Sequence, residues 1–187
     1  MAEKTRSRSI ATQPTVSRPE LLVGNSDYAF RQFVHDTLAF SARLQQVRSQ
    51  LGQVIGLSGT QYTVLIAIAH LQAEDEKVGV NLVADHLHFS GAFITIAINK
   101  LVAAGLVEKE TDSVDRRRVV LTITSKARAR LNELAPVQRP ANDLLFSSLS
   151  AKDFERLRKI MSRLVGTADK AINLLEYTTP IASRSAK

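Results

Sequence analysis

The 187-residue chain contains no cysteine, which excludes disulfides, thiolate zinc sites, thiol nucleophiles and cysteine redox sensing together. Tryptophan is also missing and aromatics make up only 5%, a poor supply for the stacking platforms that hold single-stranded nucleic acid. No apolar run approaches the roughly 18 residues of a membrane span; the best, Thr63–Leu71 and Gly91–Ile98, fall well short. The Arg/Ser-rich start lacks the apolar stretch of a secretory signal and reads as a solvated tail rather than a transit peptide. His86 with His88, and His70 with Glu74, come without the further ligands that a closed metal site needs, so no metal is expected. No paired carboxylates, Ser/His/Asp arrangement or Gly-rich phosphate loop stands out, and neither an enzyme nor a cofactor is expected. These exclusions leave a cytoplasmic protein with no membrane partner.

What is present is positive charge in particular places. Lys and Arg outnumber Asp and Glu by 25 to 18, a net +7. Residues 106–131 alone hold seven basic side chains against four acidic ones, whereas residues 27–105 are slightly acidic. Most of the remaining excess lies in the ends, 1–26 and 179–187, which read as flexible basic tails. A charge concentrated in one internal segment points to a polyanionic partner.

Periodicity supplies the architecture. From Asp27 to about Ile55, Phe30, Phe33, Val34, Leu38, Phe40, Leu44, Val47, Leu51 and Val54 recur mostly at helical spacing. Gly56 ends that run, and Ser58 can cap a second helix over 59–71, apolar nearly all round and therefore interior. Glu74, Asp75 and Glu76 follow as an acidic loop. Val78-Gly79-Val80 reads as a short strand, and Asn81 as the cap of a brief helix over 82–87. After the tight connection His88-Phe89-Ser90, a helix runs from Ser90 to Ala104 with Ile94, Ala97, Ile98 and Leu101 as its buried stripe, and Gly105 ends it. Residues 106–111 and 117–123 read as two strands joined by a turn, Asp112 to Arg116. Thr124 caps a helix toward Leu149 that Pro136 and Pro140 are expected to kink or break. Ser150-Ala151-Lys152-Asp153 is a capping box opening a last helix. Its Phe154, Leu157, Met161, Leu164, Ala168, Ala171 and Leu175 form a seam for a partner helix.

Helix, tight turn, helix, basic hairpin is the order of a winged helix-turn-helix, whose second helix suits the major groove while the hairpin reaches the neighbouring minor groove. Gly105-Leu106-Val107, then Asp112-Ser113-Val114-Asp115-Arg116-Arg117, then Leu121-Thr122-Ile123-Thr124 resemble the wing of the multiple-antibiotic-resistance regulator (MarR) family, with the likeness running over residues 27–178. The resemblance implies a mainly α fold with a small β-hairpin. Residues 57–123 would be the winged helix-turn-helix DNA-binding domain, and the helices of 27–56 and 124–178 would form the dimerisation region. It further implies a homodimer on a pseudo-palindromic operator, acting as a repressor released by a small aromatic or anionic ligand. A constitutive or architectural DNA-binding protein with no effector is the alternative reading of the same basic hairpin.

On this reading the wing residues are Asp115, Arg116, Arg117 and Arg118. The family's wing sends an arginine into the minor groove beside an orienting aspartate, and the matching positions are Arg117 and Asp115. The alternative reading makes Asp115 a turn residue bonding its own backbone, and Arg116 and Arg118 are partners of either phosphates or Glu108 and Glu110. The recognition helix offers Ser90, Ala92, Thr95, Ile96, Asn99 and Lys100, with few groups able to pair with guanine. Asn99 suits adenine, and Ala92, Thr95 and Ile96 suit thymine methyls, which predicts an A·T-leaning half-site; the competing reading puts Ile96 in the core. Phe33, Phe40, Arg43 and Tyr62 combine apolar walls, a cation and a hydroxyl suited to an aromatic carboxylate, or are ordinary core aromatics.

Overall fold

The computed structural model describes residues 13–74, 77–113 and 115–178. Residues 1–12 and 179–187 of the expected tails, Asp75 and Glu76 of the acidic loop, and Val114 of the hairpin turn lie outside the described residues. The chain divides into two compact units, Met1–Ala135 and Pro136–Lys187. No single described helix is long and apolar enough to cross a membrane.

In the first unit the segment before the first helix is tied down locally. The Thr15 backbone N–H and hydroxyl both donate to one Asp27 carboxylate oxygen, at 2.7 and 2.8 Å, and Arg31 pairs with the other at 3.1 Å. Those donors hold the Asp27 carboxyl below its usual pKa. Helix α1 follows over Tyr28–Val54, then α2 over Gly59–Glu74. Ser58 and Gln61 cap α2 reciprocally: the Ser58 N–H donates to Gln61 Oε1 at 2.9 Å and the Gln61 N–H to Ser58 Oγ at 3.2 Å. As its all-round apolar sequence requires, α2 runs through the core, with Tyr62, Val64, Leu65 and Ile68 fully buried.

The corner between α1 and α2 depends on Gly52, which is buried. A Cβ there would lie 2.9 Å from the Leu57 carbonyl oxygen and 3.1 Å from Tyr62 Cβ. Gly52→Ala should therefore destabilise the protein by about 1–3 kcal/mol through overpacking, although alanine is the better helix former by about 1 kcal/mol. A melting temperature at or above wild type would show that the corner has room to spare.

Two expectations at the next element need correction. Val78-Gly79-Val80 is not a strand: helix α3 occupies Val80–Leu87, capped at Gly79 with no side-chain cap bond, so Asn81 is not its cap. The strand-like sequence has a physical origin. Val78 is fully buried, and its carbonyl accepts the Leu121 N–H at 2.8 Å, a single ladder-type bond without a ladder. Helix α4 spans Gly91–Ala103. Strands β1 (Val107–Thr111) and β2 (Val119–Ile123) pair antiparallel, Val107 opposite Ile123 and Thr111 opposite Val119. The Gln72 side chain of α2 accepts the Ile123 N–H at 2.9 Å, so two groups from outside the hairpin occupy donors along the far side of β2.

Helix α5 runs over Ser125–Leu145, with the Thr124 hydroxyl accepting the Ala127 N–H at 3.1 Å. It ends earlier than the sequence indicates, but Pro136 and Pro140 do not interrupt it. Each proline removes one helical bond; the carbonyls so released belong to Asn132 and Pro136, both exposed residues, where water can serve them. In the second unit, the Ser150 hydroxyl and the Asp153 carboxylate bond each other at 2.6 Å, and the Asp153 N–H donates back to Ser150 Oγ at 3.2 Å. This box opens α6, Ala151–Thr178, which has no buried residue.

Candidate nucleic-acid interface

The α3–α4 connection is set by two local features. His88 caps α3 in the left-handed region, φ 53°, a conformation histidine tolerates better than most side chains. Ser90 then caps α4, its hydroxyl accepting the Phe93 N–H at 3.3 Å. Helix α4 ends on Gly105, φ 67°, where the Gly105 and Leu106 N–H groups bond the Val102 and Leu101 carbonyls, both at 2.9 Å, a Schellman arrangement. The Lys126 ammonium joins that terminus at the Ala104 carbonyl, 2.8 Å away.

With Ile94, Ala97, Ile98 and Leu101 buried, the rotation of α4 about its axis is fixed. Ser90, Ala92, Phe93, Ile96, Asn99 and Lys100 are exposed and Thr95 is half-buried. Ile96 is 59% exposed, which removes the reading that places it in the core. The Thr95 hydroxyl donates to the Gly91 carbonyl at 2.7 Å, so its proton is already committed to the helix backbone. Sequence reading missed two side chains here. Phe93 is 43% exposed, and its ring packs against that of Phe89 at 5.2 Å between centroids. Phe93 stands outside the apolar stripe at 94, 97, 98 and 101, which is the signal that would have found it.

The wing is organised by Asp112, which is 6% exposed. Its carboxylate accepts the Asp115 N–H at 3.1 Å and pairs with Lys77 at 3.0 Å. The Asp112 N–H donates to the Arg118 carbonyl at 3.0 Å, and the Arg118 N–H to the Asp115 carbonyl at 2.8 Å. The sequence marks Asp112 only as turn chemistry, because its ion partner is 35 positions away, beyond any local pattern. Asp115 combines both roles considered for it. One carboxylate oxygen accepts the Arg117 N–H at 3.1 Å, and the other pairs with the Arg118 guanidinium at 3.2 Å. Thus Asp115 engages the side chain of Arg118 rather than that of Arg117. Arg116 and Arg117 are exposed and have no carboxylate partner among the described residues. Beside them, a cleft of about 520 Å³ lies between the wing and the start of α3, lined by Lys77, Asn81, Arg117 and Arg118 among others.

Asp112→Ala removes the acceptor that closes the wing turn and the partner of Lys77. A lost hydrogen bond to a buried charged group is worth about 1.5–3 kcal/mol, so the melting temperature should fall and affinity for duplex DNA should drop about tenfold as the arginines lose their platform. Unchanged DNA affinity would show that Asp112 does not position the wing.

The other candidates lie on α1 and α2. Phe33 and Phe40 are exposed on α1, and Arg43 bonds Gln46 at 3.0 Å. Tyr62 is 1% exposed, and the cation over its ring is Arg48, 5.1 Å from the centroid. Arg48 Nε also donates to the Thr63 hydroxyl at 2.9 Å. Burial lowers the Arg48 pKa and raises that of the Tyr62 phenol. Arg48 was missed because it falls within the apolar spacing of α1. The His70 and His86 rings lie 5.5 Å apart between centroids, tilted by 39°, and no group of three or more metal-ligating side chains forms among the described residues.

A tri-helical domain with a capped, rotationally fixed α4 and a basic β-hairpin is a winged helix-turn-helix, the architecture of a DNA-binding regulator. Known proteins agree. A family model described as MarR family matches residues 55–118. The transcriptional repressor MprA of Escherichia coli strain K12 is 22% identical over 148 residues, which cover 78% of this chain and 83% of MprA. Among solved structures, a MarR protein from Peptoclostridium difficile superposes with a TM-score of 0.63 at 18% identity, covering 83% of this chain and 96% of that one. The Mycobacterium tuberculosis regulator MosR, solved in complex with DNA, gives a TM-score of 0.59 at 21% identity over 74% of this chain and 96% of its own. Over residues 55–118 the chain is thus similar to the MarR family, and it shares the fold of solved members of that family. The likeness is to DNA-binding transcriptional regulators and not to enzymes.

Proposed function

We propose that this regulator is a cytoplasmic homodimeric repressor that holds a pseudo-palindromic operator and lets go when it binds a small aromatic anion. The observation that carries the DNA part is the wing tip, where Arg116 and Arg117 stand exposed on a turn locked by Asp112 and Asp115. Cations without a carboxylate partner among the described residues, on the same unit as the exposed face of α4, are available to phosphates and to the minor groove. The wing supplies affinity and register, and Ala92, Thr95, Ile96, Asn99 and Lys100 face the bases from the cap at Ser90. Arg118, already paired with Asp115, contributes mainly to the phosphate rail.

Dimerisation is supported by what each helix leaves uncovered. On α6, Phe154, Leu157, Met161 and Leu164 are exposed at three- and four-residue steps, along a 28-residue helix about 42 Å long. On α1, Phe33 and Leu38 are likewise exposed. Such stripes need an apolar partner in water, and a two-fold dimer would set two α4 helices one DNA turn, about 34 Å, apart.

The ligand class follows from Arg48. Its guanidinium is half-buried against Tyr62, and no carboxylate pairs with it among the described residues. A carboxylate offsets that desolvated charge. A ligand preferring a dimer of different spacing weakens operator binding by its differential affinity, typically about 1–3 kcal/mol. Thermal shift and DNA titration with an aromatic carboxylate such as benzoate test this together: a raised melting temperature with release of duplex supports regulation by ligand. No shift and no release across a panel of such acids would favour a constitutive DNA-binding protein.

A further inference from the structure

We infer that Phe93, steadied by Phe89, is a specificity-determining residue that reads the C5-methyl groups of thymine in the major groove. The inference rests on the DNA-binding reading of α4 and names what that helix selects. Four positions of α4 are taken up by the core, at 94, 97, 98 and 101. Phe93 belongs to none of them, although a ring of that size is ordinarily recruited to an interior. It projects instead from the first turn of the helix, where its own N–H is fixed by the Ser90 cap. Phe89, from the connecting turn, lies against it with the rings tilted by 59°, an edge-to-face type of contact that limits the motion of both. Ile96, one turn on, is the most exposed large apolar side chain of the helix.

The exposed side of α4 thus carries an apolar strip, Ala92, Phe93 and Ile96, with Asn99 and Lys100 on the same side of the helix and the exposed wing arginines in the same unit. That charge argues for a nucleic acid as the occupant rather than another protein surface. Among groups the four base pairs display in the major groove, thymine's methyl is the apolar one. A pre-ordered aromatic ring gains by covering it at little cost in side-chain entropy, and guanine, with two acceptors, offers that strip nothing.

The test uses the full-length protein and a duplex selected from a random pool, in which each thymine is replaced in turn by deoxyuridine. That exchange deletes one methyl and leaves pairing intact. For wild type, one position in each half-site should lose about fourfold in affinity, the worth of one buried methyl, and Phe93→Ala should be insensitive at that position only. Phe93→Leu, which keeps an apolar side chain, should retain part of the discrimination. Equal losses at every position in wild type and Phe93→Ala, or no loss anywhere, would overturn the assignment while leaving DNA binding in place. Failure of wild type to retain any duplex would overturn the DNA-binding reading itself, and this inference with it.

Discussion

Replacing Leu164 by glutamate is expected to give a folded monomer with about a hundredfold weaker grip on a two-half-site duplex. Leu164 is 42% exposed in the single chain, and glutamate is a good helix former, so the helical content of α6 should survive. In a dimer the same carboxylate would be pressed into an apolar seam beside Leu157 and Met161, where an unpaired buried charge costs several kcal/mol. Two half-site contacts made by one particle strengthen each other by about 10²–10⁴, and a monomer forfeits that gain. Sedimentation velocity with parallel DNA titration checks both halves of the prediction. A variant that remains dimeric would remove α6 from the interface, and a monomeric wild type with full affinity would remove the dimer from the mechanism.

Arg117→Ala should weaken duplex binding at least about tenfold, or ~1.4 kcal/mol per complex. Its second signature is electrostatic. Each phosphate contact contributes about 0.9 to the slope of log affinity against log salt, so a dimer losing two should flatten that slope by about 1.8 if Arg117 touches phosphates. Should it enter the minor groove without neutralising phosphate, the slope should persist while discrimination between A·T-rich and G·C-rich flanks fades. Affinity and flank preference both equal to wild type would return Arg117 to a solvated turn. Folding offers no competing explanation, because the exposed Arg117 side chain has no carboxylate partner among the described residues and only its backbone N–H is engaged, by Asp115.

Most elements were legible because their signals are local. Ser58, Ser90, Thr124 and Ser150 each cap the helix that the sequence assigns to them, and Gly105 takes the positive φ expected after α4. The stripe at 94, 97, 98 and 101 was readable for the same reason, and it determines which α4 residues face outward. Errors arose where distant partners decide. Val78 carries a strand's burial and one of its bonds because Leu121 reaches it, yet the backbone turns into α3 at Val80. The prolines of α5 are tolerated because they sit on exposed positions, which no residue-by-residue preference discloses. Asp112 and Arg48 owe their roles to Lys77 and Tyr62, neighbours in space alone. Phe93 is the converse case, since its spacing already set it outside the stripe.

The central claim is that two copies of the wing flank a single operator, each presenting Arg117 to the sugar–phosphate backbone. Hydroxyl-radical footprinting of a selected duplex measures this at nucleotide resolution. The account predicts a two-fold symmetric pattern with the two half-site centres about one helical turn apart, and Arg117→Ala should lose its outermost protections while keeping the inner ones. A single asymmetric patch, or outer protections untouched by Arg117→Ala, would contradict it.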